Sequence, residues 1–337
     1  MRRDSGAAMD RRDQYELVAS LNTTSFAALP SPTTAPAIAT AFRSAANPVE
    51  AEAFTRDLAK GHYENFSVVS LLLPSRLRQD FCNIYAFCRL ADDLGDELSD
   101  ASESLEYLGR FRDDLRACYA GRASSAVFLA LGQTIARNAI PIDPFLDLIS
   151  AFEQDQRVRR YETFEGLLDY CRRSANPVGR LVLYLCGYRD EERQRLSDFT
   201  CTALQLTNFW QDVRRDLIDL GRIYIPQRSL SQFGVTENQL AEGRADDAFR
   251  SLLRFEVERT EAMFDAGEGL LPLLDSGVRR HVALFAMGGR GVLDAIRRED
   301  YDTLTRRPTL SSWRKGSLVA RALASQLLAG VRRGAAL

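Results

Sequence analysis

Residues 85–97 read YAFCRLADDLGDE, with apolar residues at three- and four-residue steps that predict an amphipathic α-helix. At about 100° of rotation per residue, its polar residues fall on one stripe within roughly 60° of arc. The stripe consists of Tyr85, Arg89, Asp92 and Asp96. Apolar residues surround it, which disfavours an ordinary solvated helix surface.

Residues 205–216 read QLTNFWQDVRRD and repeat the arrangement. Polar residues spaced three, four and four apart fall within roughly 80° of arc on a helix. They are Gln205, Asn208, Asp212 and Asp216. Each of the two helices therefore presents a ladder of oxygen ligands.

Carboxylates one helical turn apart repel each other, so such ladders need a cation. Mg²⁺ takes oxygen ligands, keeps several waters, and is usually held by one or two carboxylates together with substrate phosphates. Two facing ladders predict a diphosphate substrate held by several Mg²⁺ ions between the helices. A pair of solvated acidic faces is the alternative.

The rest of the chain favours an all-α fold. Of 337 residues, 45% are hydrophobic, and glycine and proline together number only 32, which suits long helices. The apolar periodicity predicts helices over residues 76–97, 103–119, 126–138, 144–157, 164–172, 177–187, 191–219, 246–274, 277–298 and 317–333.

Composition excludes several functions. The chain has 44 basic and 46 acidic residues, so no overall field attracts nucleic acid. Two histidines exclude a histidine-rich zinc site and disfavour a Ser-His triad. Six cysteines without a C-x-x-C pair indicate core residues in a reducing compartment. The arginine excess, 42 against two lysines, fits either genomic base composition or phosphate binding.

The two ends of the chain differ from its body. Residues 17–49 hold one charge and no apolar period, so we expect residues 1–50 to be a flexible extension before one domain at 51–337. No signal-type segment or long apolar run occurs, which predicts a cytoplasmic protein. Residues 303–337 hold seven basic and no acidic residues, so their helix either contacts the inner face of the cytoplasmic membrane or packs on the body.

DDLGD at 92–96, with NFWQDVRRD at 208–216, resembles the paired aspartate-rich motifs of the squalene and phytoene synthase family. The order and spacing of further segments match as well, and the resemblance covers roughly residues 55 to 315. These segments are HYENF (62–66), YAFCR (85–89), YCRRSANPVG (170–179), ALQLTNFWQD (203–212) and GRIYIP (221–226). The resemblance implies a single-domain helical bundle around a central cavity, acting on prenyl diphosphates.

The resemblance also implies residue roles. Metal and diphosphate binding fall to Asp92, Asp93, Asp96, Asn208, Asp212 and Asp216. Substrate contacts fall to His62, Asn65, Phe66, Tyr85, Arg89, Gly179, Gln205, Arg222 and Tyr224, and Tyr170 lies near the reacting centre. A structural role remains an alternative for His62.

Residues 174–179 read SANPVG where the family commonly has V-A-G-x-V-G. This version resembles the hydroxysqualene synthases of bacterial hopanoid biosynthesis, which convert presqualene diphosphate and water to hydroxysqualene. Asn176 would then position the water or, alternatively, only cap a helix. A head-to-head condensing enzyme making presqualene diphosphate, squalene or phytoene is the second hypothesis, and a catalytically inactive assembly relative is the third.

The cofactor and partner expectations follow from the first hypothesis. Mg²⁺ is the expected cofactor. The chain has no G-x-G-x-x-G, which disfavours a Rossmann-type nicotinamide site, although squalene synthases bind NADPH without that motif. Water capture needs no reductant, so NADPH is not expected. The expected partners are the prenyl diphosphate substrate and the pathway enzymes before and after this step.

Overall fold

A computed structural model of the protein describes residues 35–61, 75–98 and 100–309. Three predicted substrate contacts, His62, Asn65 and Phe66, lie outside the described residues, as does the predicted helix 317–333.

The described backbone is helical and contains no strand, only two isolated β-bridges, so the all-α prediction is confirmed. The α-helices are α1 (Ala35–Ala41), α2 (Pro48–Gly61), α3 (Ser75–Asp96), α4 (Ala101–Tyr119), α5 (Ala126–Asn138), α6 (Asp143–Asp155), α7 (Phe164–Ser174), α8 (Asn176–Leu185), α9 (Glu191–Gln211), α10 (Val213–Leu220), α11 (Gln227–Phe233), α12 (Glu237–Glu242), α13 (Asp247–Gly267) and α14 (Ser276–Arg298). A 3₁₀ segment, Glu268–Leu273, continues α13.

Side-chain caps fix the starts of several helices. Asp100 accepts a hydrogen bond from the amide of Ser102 at the start of α4, and Thr163 accepts one from Gly166 at the start of α7. Asp190 does the same for Arg193 in α9. Each cap satisfies an amide that has no partner inside its own helix.

Two hydrophobic cores each include one of the two acidic helices. The first joins α1, α3, α4, α5, α6 and α8 around Phe87, Phe111 and Phe128, which are fully buried. The second joins α7, α9, α11, α12, α13 and α14 with the loops after α6 and α10, and it includes the buried Trp210 and Phe249. Since α3 belongs to the first core and α9 to the second, their polar stripes meet at the junction.

Three features differ from the sequence predictions. The helical body begins before residue 50, because α1 is helical with its Ala41 buried in the first core and α2 begins at Pro48; neither helix was predicted. The short helices α11 and α12 were not predicted, since seven and six residues are too few to show a period. The predicted helix 191–219 breaks at Asp212, whose φ of −110° and ψ of 18° are not helical.

Candidate active site

One narrow cavity lies between the carboxyl-terminal half of α3, the end of α9 and α10. Both acidic ladders reach it, although the second is interrupted by the break at Asp212. The predicted site residues that line it are Asp92, Asp96, Tyr170, Gln205, Asn208, Asp212, Asp216, Arg222 and Tyr224. Phe152, Asp155, Ser174, Phe209 and Leu220 complete its wall.

Two carboxyl groups of this cavity, Asp92 and Asp216, have raised pKa values, so their ionised forms are disfavoured. Burial, and then the negative charge of Asp96, raises the pKa of Asp92 well above its usual range. Burial, and then the charge of Asp212, raises the pKa of Asp216 in the same way. A cation bound among these carboxylates would relieve both effects.

Arg222 is placed by the end of α10. Gly221 has a φ of 65°, a left-handed conformation that ends the helix, and the amide of Arg222 donates back to the carbonyl of Asp216 at 3.0 Å. The guanidinium then lies in the cavity wall, where Nη2 donates to Asp96 Oδ1 at 3.2 Å. It is a fixed positive charge at the base of the first ladder.

Asp155, the last residue of α6, is a site residue that the sequence analysis missed. It is 6% exposed, and the Tyr170 hydroxyl donates to its Oδ2 at 2.8 Å. Burial raises the pKa of Asp155 to about 7, against the opposing charge of Arg222. The available signal was an acid at the three-residue step after Phe152, on the apolar stripe of α6.

An aromatic cluster adjoins the carboxylates. Phe209 and Tyr224 stack with ring centroids 3.7 Å apart, and the Tyr170 ring lies 5.9 Å from Tyr224. Tyr161 packs on Tyr170 at 5.4 Å. Aromatic faces are electron-rich and attract cations, so this wall can stabilise a positively charged intermediate.

Arg307 forms an ion pair with Asp212 of the second ladder and is not among the residues that line the cavity. The sequence analysis did not predict this contact. Arg307 Nε and Nη2 donate to the two carboxylate oxygens of Asp212 at 2.5 and 2.9 Å. Gln211 Nε2 donates to the carbonyl of Pro308 at 2.5 Å, which fixes the same segment. Asp212 is thus partly neutralised by a residue 95 positions later in the chain.

Three predicted residues on α3 do not occur among the described residues that line the cavity. Arg89 pairs with Asp93 at 2.5 Å and with Glu97 at 3.2 Å, so Asp93 faces an arginine instead of the cavity. Tyr85 packs beside Ala59 and Cys82. The helical wheel placed Tyr85 and Arg89 on the stripe, but the cavity reaches only its last turns.

Two residues of SANPVG also serve helix packing. A Cβ on Gly179 would lie 2.4 Å from Ser197 Oγ and 2.5 Å from Cys201 Sγ, so glycine allows α8 to approach α9 closely. Asn176 is buried, and its Oδ1 accepts from Thr202 Oγ1 at 2.9 Å. Neither residue is among those that line the cavity, whereas Ser174 is.

The donor set of the cavity suits Mg²⁺ bound with a diphosphate. Within residues 35–61, 75–98 and 100–309, no three acidic, histidine or cysteine side chains form a group that could hold a metal ion. Each ion would therefore use one or two carboxylates and complete its shell with water and phosphate oxygens, as Mg²⁺ commonly does.

The described part of the chain contains no helix long and apolar enough to cross a bilayer. Comparison with known proteins adds the family. Residues 59–314 match the family model described as Squalene/phytoene synthase.

Individual relatives agree. The crystal structure of squalene synthase HpnC from Alicyclobacillus acidocaldarius superposes on this protein with a TM-score of 0.73 and 45% sequence identity. The matched region covers 79% of this chain and 99% of the HpnC chain. A dehydrosqualene synthase in complex with a ligand is 25% identical, with a TM-score of 0.74, and covers 83% of this chain and 97% of its own.

A phytoene synthase of Arthrospira platensis is 32% identical over 277 residues, which are 77% of this chain and 88% of that enzyme. The all-α fold and these matches agree. The chain is a member of the squalene and phytoene synthase family, whose enzymes act on prenyl diphosphates.

Proposed function

We propose that this protein is a hydroxysqualene synthase, which converts presqualene diphosphate and water to hydroxysqualene and diphosphate. The observation that carries the proposal is the polar junction between α7 and α8. There Ser174, the first residue of SANPVG, lines the cavity, and its buried Oγ has no hydrogen-bond partner in the protein. A buried hydroxyl in a cavity wall suits a reaction in which water is a substrate.

The 45% identity to HpnC of Alicyclobacillus acidocaldarius also supports a role in squalene and hopanoid biosynthesis. The reaction ends with water and not with a hydride, so the proposed enzyme needs no NADPH.

Asp92, Asp96, Asn208, Asp212 and Asp216 would hold the metal ions. When bound, Mg²⁺ would neutralise the charge that develops on the leaving diphosphate. Arg222 faces the same end of the cavity and binds diphosphate oxygens as a fixed cation.

The aromatic wall would protect the cation after ionisation. The faces of Tyr170, Phe209 and Tyr224 stabilise positive charge without offering a nucleophile. The apolar packing around them excludes bulk water. Water is then admitted only at the polar positions of the wall.

The test is an incubation of the purified protein with Mg²⁺ and presqualene diphosphate, without NADPH. We expect hydroxysqualene and diphosphate in equal amounts, identified by mass spectrometry. Failure to consume presqualene diphosphate, with farnesyl diphosphate consumed instead, would contradict this function.

A head-to-head condensing enzyme is the second candidate, and the 32% identity to phytoene synthases favours it. Under that function, farnesyl or geranylgeranyl diphosphate would be converted to a cyclopropyl diphosphate, squalene or phytoene. The same incubation with these two substrates, with and without NADPH, separates the candidates.

A further inference from the structure

Asp155 occupies a position on the cavity wall that the metal-binding ladders do not explain. It ends α6, whereas the ladders lie on α3, α9 and α10. It is 6% exposed and lines the cavity together with Tyr170 and Arg222. A buried carboxylate normally has all of its oxygens engaged, because an unpaired one is costly.

One oxygen of Asp155 is held firmly. Oδ2 accepts the hydrogen bond of the Tyr170 hydroxyl at 2.8 Å and lies 4.0 Å from Arg222 Nη1. Arg222 Nη2 also lies 3.3 Å from the backbone carbonyl of Asp155, which fixes the end of α6. These contacts set the plane of the carboxylate.

The other oxygen, Oδ1, is buried and has no hydrogen-bond partner. Ser174 lines the same cavity, and its Oγ is buried and unpartnered as well. A carboxylate oxygen accepts hydrogen bonds, while a hydroxyl both donates and accepts, so these two groups are complementary to the hydrogen and the oxygen of a water molecule.

Resting on the function proposed above, we infer that Asp155 is the base that takes the proton of the water that captures the carbocation. Departure of the diphosphate with the electron pair of its C–O bond leaves the cation. A lone pair of the water oxygen then forms a new C–O bond. One O–H bond of that water breaks, its electrons remain on oxygen, and its proton moves to Asp155 Oδ1. Transfer of this proton to the departing diphosphate restores the carboxylate.

The assignment gives each polar group a separate task. Tyr170 and Arg222 orient the carboxylate through Oδ2, Ser174 holds the water oxygen, and Oδ1 accepts the proton. None of these tasks uses a ladder carboxylate, so ionisation and water capture can be separated by substitution.

The test compares two products of presqualene diphosphate in the wild type and in Asp155→Asn, which is isosteric but cannot accept the proton. Released diphosphate reports ionisation, and hydroxysqualene reports water capture. Since a general base contributes about 10²- to 10⁴-fold, we expect at least a tenfold fall in hydroxysqualene per diphosphate released. Hydrocarbons formed by proton loss from the cation should replace the alcohol.

Asp198→Asn is the matched control. Asp198 also pairs with an arginine, Arg180, at 2.6 Å, but it is not among the residues that line the cavity. Its product ratio should equal that of the wild type. Thermal unfolding of every variant reports folding.

If hydroxysqualene and diphosphate fall in parallel in Asp155→Asn, Asp155 acts only on Arg222 or on ionisation, and the inference is overturned. Should Asp155→Asn fail to fold, Asp155→Ser is assayed with added formate, an external base. Recovery of the alcohol ratio supports the inference, and its absence overturns it. A wild type that forms no hydroxysqualene instead refutes the proposed function and this step with it.

Discussion

Neighbouring residues of the DDLGD motif have different surroundings. Asp92 lines the cavity, while Asp93, the next residue, points about one quarter-turn away and pairs with Arg89. Burial raises the pKa of Asp93 to about 7 despite that pair. The motif DDLGD therefore contains one residue that lines the cavity, 3.7 Å from Arg89, and one that pairs closely with Arg89 at 2.5 Å.

Asp92→Asn should lower kcat/KM at least ~100-fold and raise the Mg²⁺ concentration needed for half-maximal activity, because it removes a cavity carboxylate. Asp93→Asn should lower kcat/KM about tenfold, as for an outer partner, with the Mg²⁺ requirement unchanged. Magnesium titrations of both variants check this. Equal shifts of the Mg²⁺ requirement would place Asp93 among the ligands. Cellular function left intact by Asp92→Ala and Asp212→Ala would instead favour the hypothesis of a catalytically inactive relative.

At the scale of the helices, the packing of α14 on the second core depends on the close approach of its backbone at Gly289 to side chains of α13 and α9. A Cβ on Gly289 would lie 2.5 Å from Phe264 Cζ and 2.8 Å from Leu204 Cδ2. Phe264 is 2% exposed, so it has little room to move. The glycine lets α14 pack against α13 and α9, the helix that carries the second ladder.

Gly289→Ala should therefore lower the free energy of unfolding by about 1–3 kcal/mol through overpacking. Gly109→Ala is the control in α4, because a Cβ there meets nothing within 4 Å. It should be neutral or raise stability by up to about 1 kcal/mol, since alanine favours helix. Urea unfolding measures both, and equal effects would show that close packing at Gly289 is unimportant.

Over the whole molecule, buried acids between two hydrophobic cores couple stability to pH. The pKa of Asp216 is raised by burial and by Asp212, so the folded protein binds this proton more tightly than the unfolded chain does. The stabilisation of the folded state by protonated Asp216 is complete below the unfolded-state pKa of about 3.9. It is lost as the pH rises through the pKa of Asp216 in the folded state.

Asp216→Asn should therefore gain stability relative to the metal-free wild type as pH rises above about 4, because asparagine stays neutral. Melting temperatures measured between pH 4 and 8 without divalent cations check this. Asp113→Asn, on the exposed face of α4, controls for the change in net charge and should show no such trend. A constant difference between wild type and Asp216→Asn would contradict the buried-charge explanation.

Local patterns predicted much of this architecture. The apolar periodicity predicted the bounds of α3 to α10, α13 and α14 to within a few residues. Each of these helices buries one apolar stripe, and that stripe is visible as a period in the sequence. It missed α1 and α2. Residues 35–41 of α1 carry no charge and are too few to show a period. It also missed the break at Asp212, which bends the ladder although the spacing of its oxygens continues.

The sequence alone determined the helical class, the two ladders and the family resemblance, since residue type and spacing along one helix are local properties. Only the tertiary structure decided which of these side chains share the cavity. Arg89 and Asp93 form an ion pair with each other, and Gly179 serves helix packing. Asp155 on the cavity wall and Arg307 beside Asp212 come from segments distant in the sequence. Burial and long-range pairing depend on how the two hydrophobic cores pack against each other. The spacing of residues within one helix does not determine that packing.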